Sequence, residues 1–308
     1  MKALLFPGQG SQLVGMGSEL YNNFDLVKKI FKQADEKLNY KLSEIILNGP
    51  DSQLKLTENT QPAILTVSFS IFSVLKNEFN LNINDFKYFA GHSLGEYSAL
   101  VCSESLEFND GLYLLHERGK AMQEAVPVGK GAMLAILGIN LEEINKYISI
   151  LEKDSICEIA NDNAEGQIIA SGNTNSIIEL QIKLKENNKK SIILPVSAPF
   201  HCSLMKPAAE KMNSKINEIN FKNSKVEIIT NVNATPESEN KNFKKLLVEQ
   251  IYSKVKWRES ILYMVNKGVS EFIEIGPGKV LNGLVKRITK NSISRSINTL
   301  EDINKFKK

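Results

Sequence analysis

Short apolar runs alternate with amphipathic stretches over the first 126 residues of the chain. Lys2–Phe6 has the character of a buried strand, which Pro7 and Gly8 end. Leu26–Leu38 carries apolar residues at helical spacing and predicts a helix. Further helices are predicted from residue 60 to about 79, from Glu96 and over 110–126, and a strand is predicted over 87–90. Strand, tight turn and helix in this order indicate a parallel α/β architecture.

The pattern changes after residue 126. Predicted strands cover 132–137, 156–160, 167–171 and 191–196, and predicted helices cover 141–151 and 175–186. The order β-α-β-β-α-β is that of the ferredoxin-like split unit. We therefore predict a ferredoxin-like subdomain over 127–197.

The α/β pattern resumes after Pro199. Helices are predicted over 204–217, 243–252, 260–267 and 280–289, and strands over 226–230 and 271–275. The polar stretch 233–242 is predicted to be a loop. Residues 1–126 and 198–308 would thus form one discontinuous α/β-hydrolase-like domain with a parallel sheet.

Composition excludes several classes of protein. The 38 basic and 35 acidic residues leave a net charge of only +3, which does not favour nucleic acid as the main ligand. Cys102, Cys157 and Cys202 are odd in number and lack metal-ligand spacing, so neither a disulfide framework nor a structural metal site is expected. The first apolar run is too short for a signal peptide, and the run over 62–75 is too short to span a membrane. We expect a cytoplasmic protein that does not enter the membrane.

The segment GHSLG at residues 91–95 fits the pattern G-x-S-x-G of a nucleophile elbow. Such a turn between strand and helix raises the Ser93 hydroxyl above the sheet. It also directs the following backbone N–H groups, that of Leu94 among them, towards an oxyanion. The alternative is an ordinary tight turn that contains a serine.

A serine nucleophile needs a base, and the chain has three histidines. His92 adjoins Ser93 in an extended turn, where neighbouring side chains point apart. His116 lies within a predicted helix, whereas His201 follows the return from the inserted subdomain, where a cleft is expected. His201 is therefore favoured as the base. Cys202 is a rival nucleophile, although a thiol in a packed loop is more often a small apolar residue.

Several segments together resemble the malonyl-CoA:acyl carrier protein transacylases of fatty acid synthesis. The matching segments are FPGQGSQ at 6–12, LT at 56–57, TQPA at 60–63, GHSLGEY at 91–97, RGKAMQ at 118–123, GAM at 131–133, APFH at 198–201 and EIGPG at 274–278. They run along nearly the whole chain in the order of that family.

The resemblance implies a ping-pong acyl transfer from malonyl-CoA to the phosphopantetheine thiol of an acyl carrier protein. Ser93 would carry the malonyl group and His201 would act as base. The backbone N–H groups of Gln9 and Leu94 would form the oxyanion hole. The main-chain carbonyl of Gln250 would orient His201.

Arg118 is one of only four arginines in a chain that otherwise uses lysine as its cation. The resemblance implies that its guanidinium clamps the malonyl carboxylate through two parallel hydrogen bonds. Without the resemblance, a cation on a helix surface is an equally good interpretation.

Other residues and partners follow from the same resemblance. Asn161, Phe200, Met122 and Met133 are predicted to line the cleft, and the bulk of Phe200 favours malonyl over methylmalonyl groups. No bound cofactor and no metal are expected, and we expect a monomer.

The carrier protein is acidic in this family, so a basic surface should receive it. Two basic clusters are candidates for this surface: one of Lys183, Lys185, Lys189 and Lys190, and one of Lys286, Arg287 and Lys290. For each cluster the alternative is a solvated helix face without a partner.

Three other functions fit the sequence less well. A serine esterase or thioesterase would use Ser93 and His201 in the same way but would not need Arg118. A dinucleotide site would require a third glycine where the chain has Leu13, so the G-x-G-x-x-G pattern fails. A non-catalytic binding protein would have no reason to keep Ser93, His201 and Arg118 together.

Overall fold

A computed structural model describes residues 1–151, 156–196 and 198–306. Its ten strands, among these residues, are β1 (Lys2–Phe6), β2 (Phe86–Gly91), β3 (Gly131–Leu137), β4 (Cys157–Ala164), β5 (Gln167–Asn173), β6 (Lys190–Ile193), β7 (Glu227–Ile229), β8 (Pro236–Glu237), β9 (Glu271–Ile275) and β10 (Ile293–Ile297).

The helices of the same part of the chain are α1 (Ser18–Asn23), α2 (Asp25–Leu38), α3 (Leu42–Leu47), α4 (Asp51–Leu54), α5 (Thr57–Glu78), α6 (Gly95–Cys102), α7 (Phe108–Glu124), α8 (Leu141–Ser149), α9 (Thr174–Glu186), α10 (Lys206–Glu218), α11 (Asn240–Gln250), α12 (Trp257–Asn266), α13 (Val280–Ile288) and α14 (Leu300–Phe306). Short 3-10 turns cover Ile83–Asp85 and Ser203–Met205. None of the helices described is long and apolar enough to cross a membrane.

Strand β1 lies inside a six-stranded sheet of order β10-β9-β1-β2-β7-β8. Its residues alternate between two apolar layers: Leu4 and Phe6 pack with one core cluster, and Ala3 and Leu5 with the other. Because both faces of the strand are buried, its sequence is a continuous apolar run.

The prediction of an α/β fold is confirmed, but the larger sheet is mixed and not purely parallel. Five strands pair in parallel, and β8 pairs with β7 antiparallel. A tight turn causes this, because Ala234 adopts φ +55° and its N–H bonds the carbonyl of Thr230 at 2.8 Å. Part of the predicted loop over 233–242 is therefore a short edge strand and the first turn of α11.

A second, four-stranded sheet has the order β4-β5-β3-β6, and all its pairs are antiparallel. Helices α8 and α9 cover it over a separate apolar cluster. The elements occur in the predicted order, but β6 ends at Ile193, three residues before the predicted end. A parallel bridge between Asn161 and Val255 ties this sheet to the larger body.

The larger sheet brings two loops to one edge. Strands β1 and β2 are parallel neighbours, so the loop after Phe6 and the turn after Gly91 lie side by side. Helix α7 packs against α5, and the segment before α10 returns from the small sheet. These four parts of the chain form the site described next.

Candidate active site

Ser93 occupies a sharp turn between β2 and α6. Its φ is +53°, a left-handed conformation that is uncommon for a serine. The flanking glycines are required by close packing. A Cβ on Gly91 would overlap the carbonyl of Gly95, and a Cβ on Gly95 would overlap the carbonyl oxygen of Phe6.

Two side chains from distant parts of the chain hold the backbone of this turn. The N–H of Ser93 donates to Oδ1 of Asn231 at 2.7 Å, and its carbonyl accepts from Nε2 of Gln250 at 3.0 Å. Nδ2 of Asn231 also donates to the carbonyl of Gly91 at 2.6 Å. The strained turn is therefore fixed on both of its peptide groups.

His201 lies next to the hydroxyl of Ser93. Nε2 of His201 is 2.7 Å from Oγ of Ser93, and Nδ1 is 2.9 Å from the main-chain carbonyl of Gln250. A carbonyl only accepts hydrogen bonds, so Nδ1 carries the proton and Nε2 is free to accept from the serine. Burial, with the charge of Arg118 as a second cause, lowers the pKa of His201 to about 3. The imidazole is therefore neutral near pH 7, as a base must be.

Arg118 projects from α7 into the same site with only 1% of its surface exposed. Nη1 donates to Oε1 of Gln61 at 2.7 Å. Nη2 donates to Oε1 of Gln250 at 2.9 Å and to Oγ of Ser93 at 3.2 Å. Within the described part of the chain Arg118 makes no direct ion pair. A buried guanidinium that contacts only neutral acceptors is suited to receive a carboxylate.

A pocket opens above these groups. Of the predicted site residues, nine line it: Gln9, Ser93, Leu94, Arg118, Met122, Met133, Asn161, Phe200 and His201. Gln250 is fully buried and lies beneath the pocket, where both its carbonyl and its amide contact the site.

Sequence reasoning missed several members of the site. Gln61 and Asn163 line the pocket, and Asn231 and Glu96 support it from below. Gln61 and Glu96 stand inside the matching segments TQPA and GHSLGEY, which was a usable signal. No sequence signal distinguishes Asn231, since it contacts Ser93 across 138 positions of the chain.

The rival nucleophile and the two other histidines make other contacts, although His92 lines the same pocket. The thiol of Cys202 donates to the carbonyl of Pro199 at 3.1 Å, and burial raises its pKa to about 11, so it is not a thiolate near neutral pH. Nδ1 of His116 contacts the carbonyl of Glu58 at 3.0 Å, away from Ser93. Nε2 of His92 is 2.8 Å from Oδ1 of Asn163. In the part of the chain that is described, no group of three or more His, Cys, Asp or Glu residues could hold a metal ion.

Fold and site together define an acyltransferase. The family model described as the acyl transferase domain matches residues 3–304. The malonyl CoA-acyl carrier protein transacylase of Bacillus subtilis (strain 168) is 44% identical over 304 residues, which cover 98% of this chain and 94% of that protein. The chain belongs to the malonyl CoA-acyl carrier protein transacylase family.

Solved structures agree with this assignment. The acyl-carrier-protein-S-malonyltransferase from Bartonella henselae superposes with a TM-score of 0.96 at 40% identity, covering 99% of this chain and 97% of that one. A malonyl-transacylase in complex with a type II PKS acyl-carrier protein superposes with a TM-score of 0.95 at 36% identity, covering 99% of this chain and 98% of that one.

Proposed function

We propose that this acyltransferase moves the malonyl group of malonyl-CoA to the phosphopantetheine thiol of an acyl carrier protein and so supplies fatty acid biosynthesis. The observation that carries the proposal is the buried guanidinium of Arg118, 3.2 Å from Oγ of Ser93 and without a direct ion pair to any described carboxylate. An acyl group on Ser93 that ends in a carboxylate would place this carboxylate within reach of the cation.

In the first half-reaction Ser93 attacks the thioester carbonyl. Nε2 of His201 takes the hydroxyl proton while the bond between oxygen and carbonyl carbon forms. The tetrahedral intermediate then collapses, the carbon–sulfur bond breaks, and CoA leaves as the thiol after His201 returns the proton. The carbonyl of Gln250 keeps the imidazole in the required tautomer.

In the second half-reaction the phosphopantetheine thiol gives its proton to His201, and its sulfur attacks the carbonyl carbon of the malonyl ester. The bond between this carbon and Oγ of Ser93 then breaks, and His201 returns the proton to Ser93. Backbone N–H groups of Gln9 and Leu94 would stabilise the oxyanion in both steps. Two observations support this assignment: both residues line the pocket, and Leu94 precedes the N-terminus of α6, whose dipole favours negative charge.

Apolar side chains set the space for the acyl chain. Met122, Met133 and Phe200 line the pocket together with the amide of Asn161. Phe200 is 93% buried beside His201, so bulk at this position would hinder a branched acyl group such as methylmalonyl.

The geometry also supports finer descriptions of the two sheets. The nucleophile turn follows a parallel strand, as in α/β-hydrolase folds, which fits a catalytic body of residues 1–126 and 198–308. The antiparallel order β4-β5-β3-β6, with helix α8 after β3 and helix α9 after β5, fits a ferredoxin-like subdomain over 127–197.

The carrier protein is proposed to dock at the C-terminal end of α13. Lys183 and Lys189 of the other cluster already pair with Glu179 and Glu143. Lys286, Arg287 and Lys290 make no ion pair with any described residue, and Nη1 of Arg287 donates to Oε1 of Gln167 at 2.9 Å. Helix α13 packs against β4, the strand that carries Asn161 of the pocket. An acidic partner would be attracted there.

Mass spectrometry of the intact protein tests the proposal. Brief exposure to malonyl-CoA should add one malonyl group to the wild type and none to Ser93→Ala. Addition of a phosphopantetheinylated carrier protein should then move the group to the carrier. A malonyl adduct on Ser93→Ala would remove Ser93 from the mechanism. Release of free malonate with no malonyl carrier would favour the esterase alternative.

A further inference from the structure

Glu96 stands in the first turn of α6 and is only 1% exposed. Its Oε2 accepts two hydrogen bonds, from Nε2 of Gln250 at 2.8 Å and from the N–H of Asn231 at 3.0 Å. Burial raises the pKa of Glu96 to about 7, and these bonds and the charge of Arg118 oppose the rise. A carboxyl group kept in such a place without contact to the pocket calls for a physical reason.

The side-chain amide of Gln250 supplies that reason. Its donor end, Nε2, faces the carboxylate of Glu96 and the carbonyl of Ser93, and its acceptor end, Oε1, faces Nη2 of Arg118. If the amide turned by 180°, its NH2 group would face the guanidinium and its oxygen would face two other oxygens. Each of these contacts would be repulsive. An acceptor at residue 96 therefore favours the orientation that binds Arg118.

Glu96 also reaches the nucleophile along a second route. Asn231, whose N–H binds Glu96, holds the N–H of Ser93 through Oδ1, while Gln250 holds the carbonyl of the same serine. Both supports of the strained turn thus meet at one carboxylate oxygen. The hydrogen-bonded link from Glu96 to Arg118 runs through Gln250, and the charge of Arg118 also acts on Glu96 directly by lowering the pKa of its carboxyl group.

We propose that Glu96 is a positioning residue for acyl selectivity, because it orients the amide of Gln250 and thereby fixes the guanidinium of Arg118 for a carboxylate-bearing acyl group. The inference rests on the proposed function. Without the acceptor at residue 96 the NH2 group of Gln250 keeps only the carbonyl of Ser93 as an acceptor, so the amide is oriented less strongly and Arg118 has a less fixed partner. Acyl groups without a carboxylate do not use Arg118, so their transfer should suffer less.

The test compares acylation of Ser93 by malonyl-CoA and by acetyl-CoA. Glu96→Met keeps the side-chain volume but has no oxygen, and it should lower the malonyl-to-acetyl ratio of kcat/KM by about tenfold, the size expected for a lost hydrogen bond to a charged group. Glu96→Gln retains an acceptor and should keep the ratio within about threefold of wild type. Loss of rate with an unchanged ratio in Glu96→Met would show that Glu96 is merely structural.

Glu274→Met is the matched control. Glu274 is equally buried, and its carboxylate accepts from the N–H groups of Leu281 and Asn282 at the start of α13. Its substitution should reduce stability and leave the ratio unchanged. A fall in the ratio as large as that of Glu96→Met would mean that general destabilisation, and not the acceptor at residue 96, lowers selectivity.

A double-mutant cycle tests the proposed route. Gln250→Met removes the amide but keeps the main-chain carbonyl that binds His201, so it should lower the ratio as Glu96→Met does. The double variant should be no less selective than Gln250→Met by itself. Effects that multiply would overturn the claim that Glu96 acts through Gln250.

If Glu96→Met does not fold, Glu96→Asp serves instead. It keeps the charge but withdraws the oxygen by one methylene, and it should lower the ratio about threefold. An unchanged ratio would overturn the inference. Failure of the proposed function would look different, because the wild type itself would then form no malonyl adduct on Ser93.

Discussion

Nη2 of Arg118 donates a hydrogen bond to Oγ of Ser93 at 3.2 Å, so the cation and the hydroxyl share one buried site. The same nitrogen also binds Gln250, and Nη1 binds Gln61. The guanidinium is therefore held in place before any substrate arrives. Such preorganisation lowers the entropy lost when a carboxylate binds.

Removal of this cation should cost more for malonyl than for acetyl transfer. In Arg118→Ala we expect kcat/KM for acylation by malonyl-CoA to fall about 100-fold or more, since two charge-assisted hydrogen bonds are lost. Acylation by acetyl-CoA should fall much less. Single-turnover acylation followed by mass spectrometry measures both. Arg295→Ala, which removes an arginine paired with Glu271 at the edge of the sheet, is the control. Equal losses for both substrates would make Arg118 structural.

The low pKa of His201 predicts how stability depends on pH. The folded pKa is about 3, below the value of about 6.5 for an unfolded histidine. Between these values the unfolded chain binds the proton and the folded protein does not. The stability associated with neutral His201 is therefore complete above pH 6.5 and is lost as the pH falls towards 3.

Comparison of the wild type with His201→Gln isolates the loss of stability that comes from protonation of His201. Between pH 7 and pH 5 the free energy of unfolding of the wild type should fall by about 2 kcal/mol more than that of the variant. Urea denaturation at the two pH values measures it. Parallel changes in the two proteins would mean that His201 titrates normally in the folded state.

The packing of Gly95 against β1 predicts a large effect of one methyl group. Gly95→Ala would drive Cβ into the carbonyl oxygen of Phe6, and we expect a loss of about 3 kcal/mol or more in the free energy of unfolding. Gly283→Ala on helix α13 is the control, because the added Cβ would have no atom within 4 Å beyond the neighbouring backbone of its own helix. That variant should gain about 0.5–1 kcal/mol. Similar results for the two would contradict the close approach of β1 and α6.

An ion pair holds the small sheet to the larger body. Nε and Nη2 of Arg258 on α12 donate to the carboxylate of Asp162 on β4, at 2.8 to 3.1 Å, and the Asp162 side chain is 1% exposed. Arg258→Met would leave the carboxylate buried without its partner. We expect this to reduce the free energy of unfolding by about 3 kcal/mol.

Two variants check the origin of that loss by urea denaturation. Lys32→Met removes an exposed ion pair with Glu36 and should cost less than about 0.5 kcal/mol. Arg258→Met combined with Asp162→Leu should recover much of the loss, because the buried charge is gone. A double variant as unstable as Arg258→Met would point to lost packing of the arginine.

Local patterns predicted those parts of the fold that depend on neighbouring residues. The continuous apolar run of β1, the helical spacing of α2 and the order of elements in the small sheet were readable for this reason. Strand β10, Ile293–Ile297, was not predicted. Its only apolar residues are the isoleucines at its two ends, and the Ser and Arg residues between them give no strand signal. It becomes a strand because β9 offers an edge with which it pairs.

For the site, the sequence by itself determined the turn at Ser93, because the pattern G-x-S-x-G is local and Gly91 makes room for the carbonyl of Gly95 only four positions away. The resemblance singled out Arg118 and Gln250. The tertiary structure decided which groups meet around that turn. The contacts of Ser93 with His201, Asn231 and Gln250 span 108, 138 and 157 positions of the chain. Such contacts form only when the strands pair and the small sheet returns the chain to the body, and no local pattern of apolar and polar residues records them.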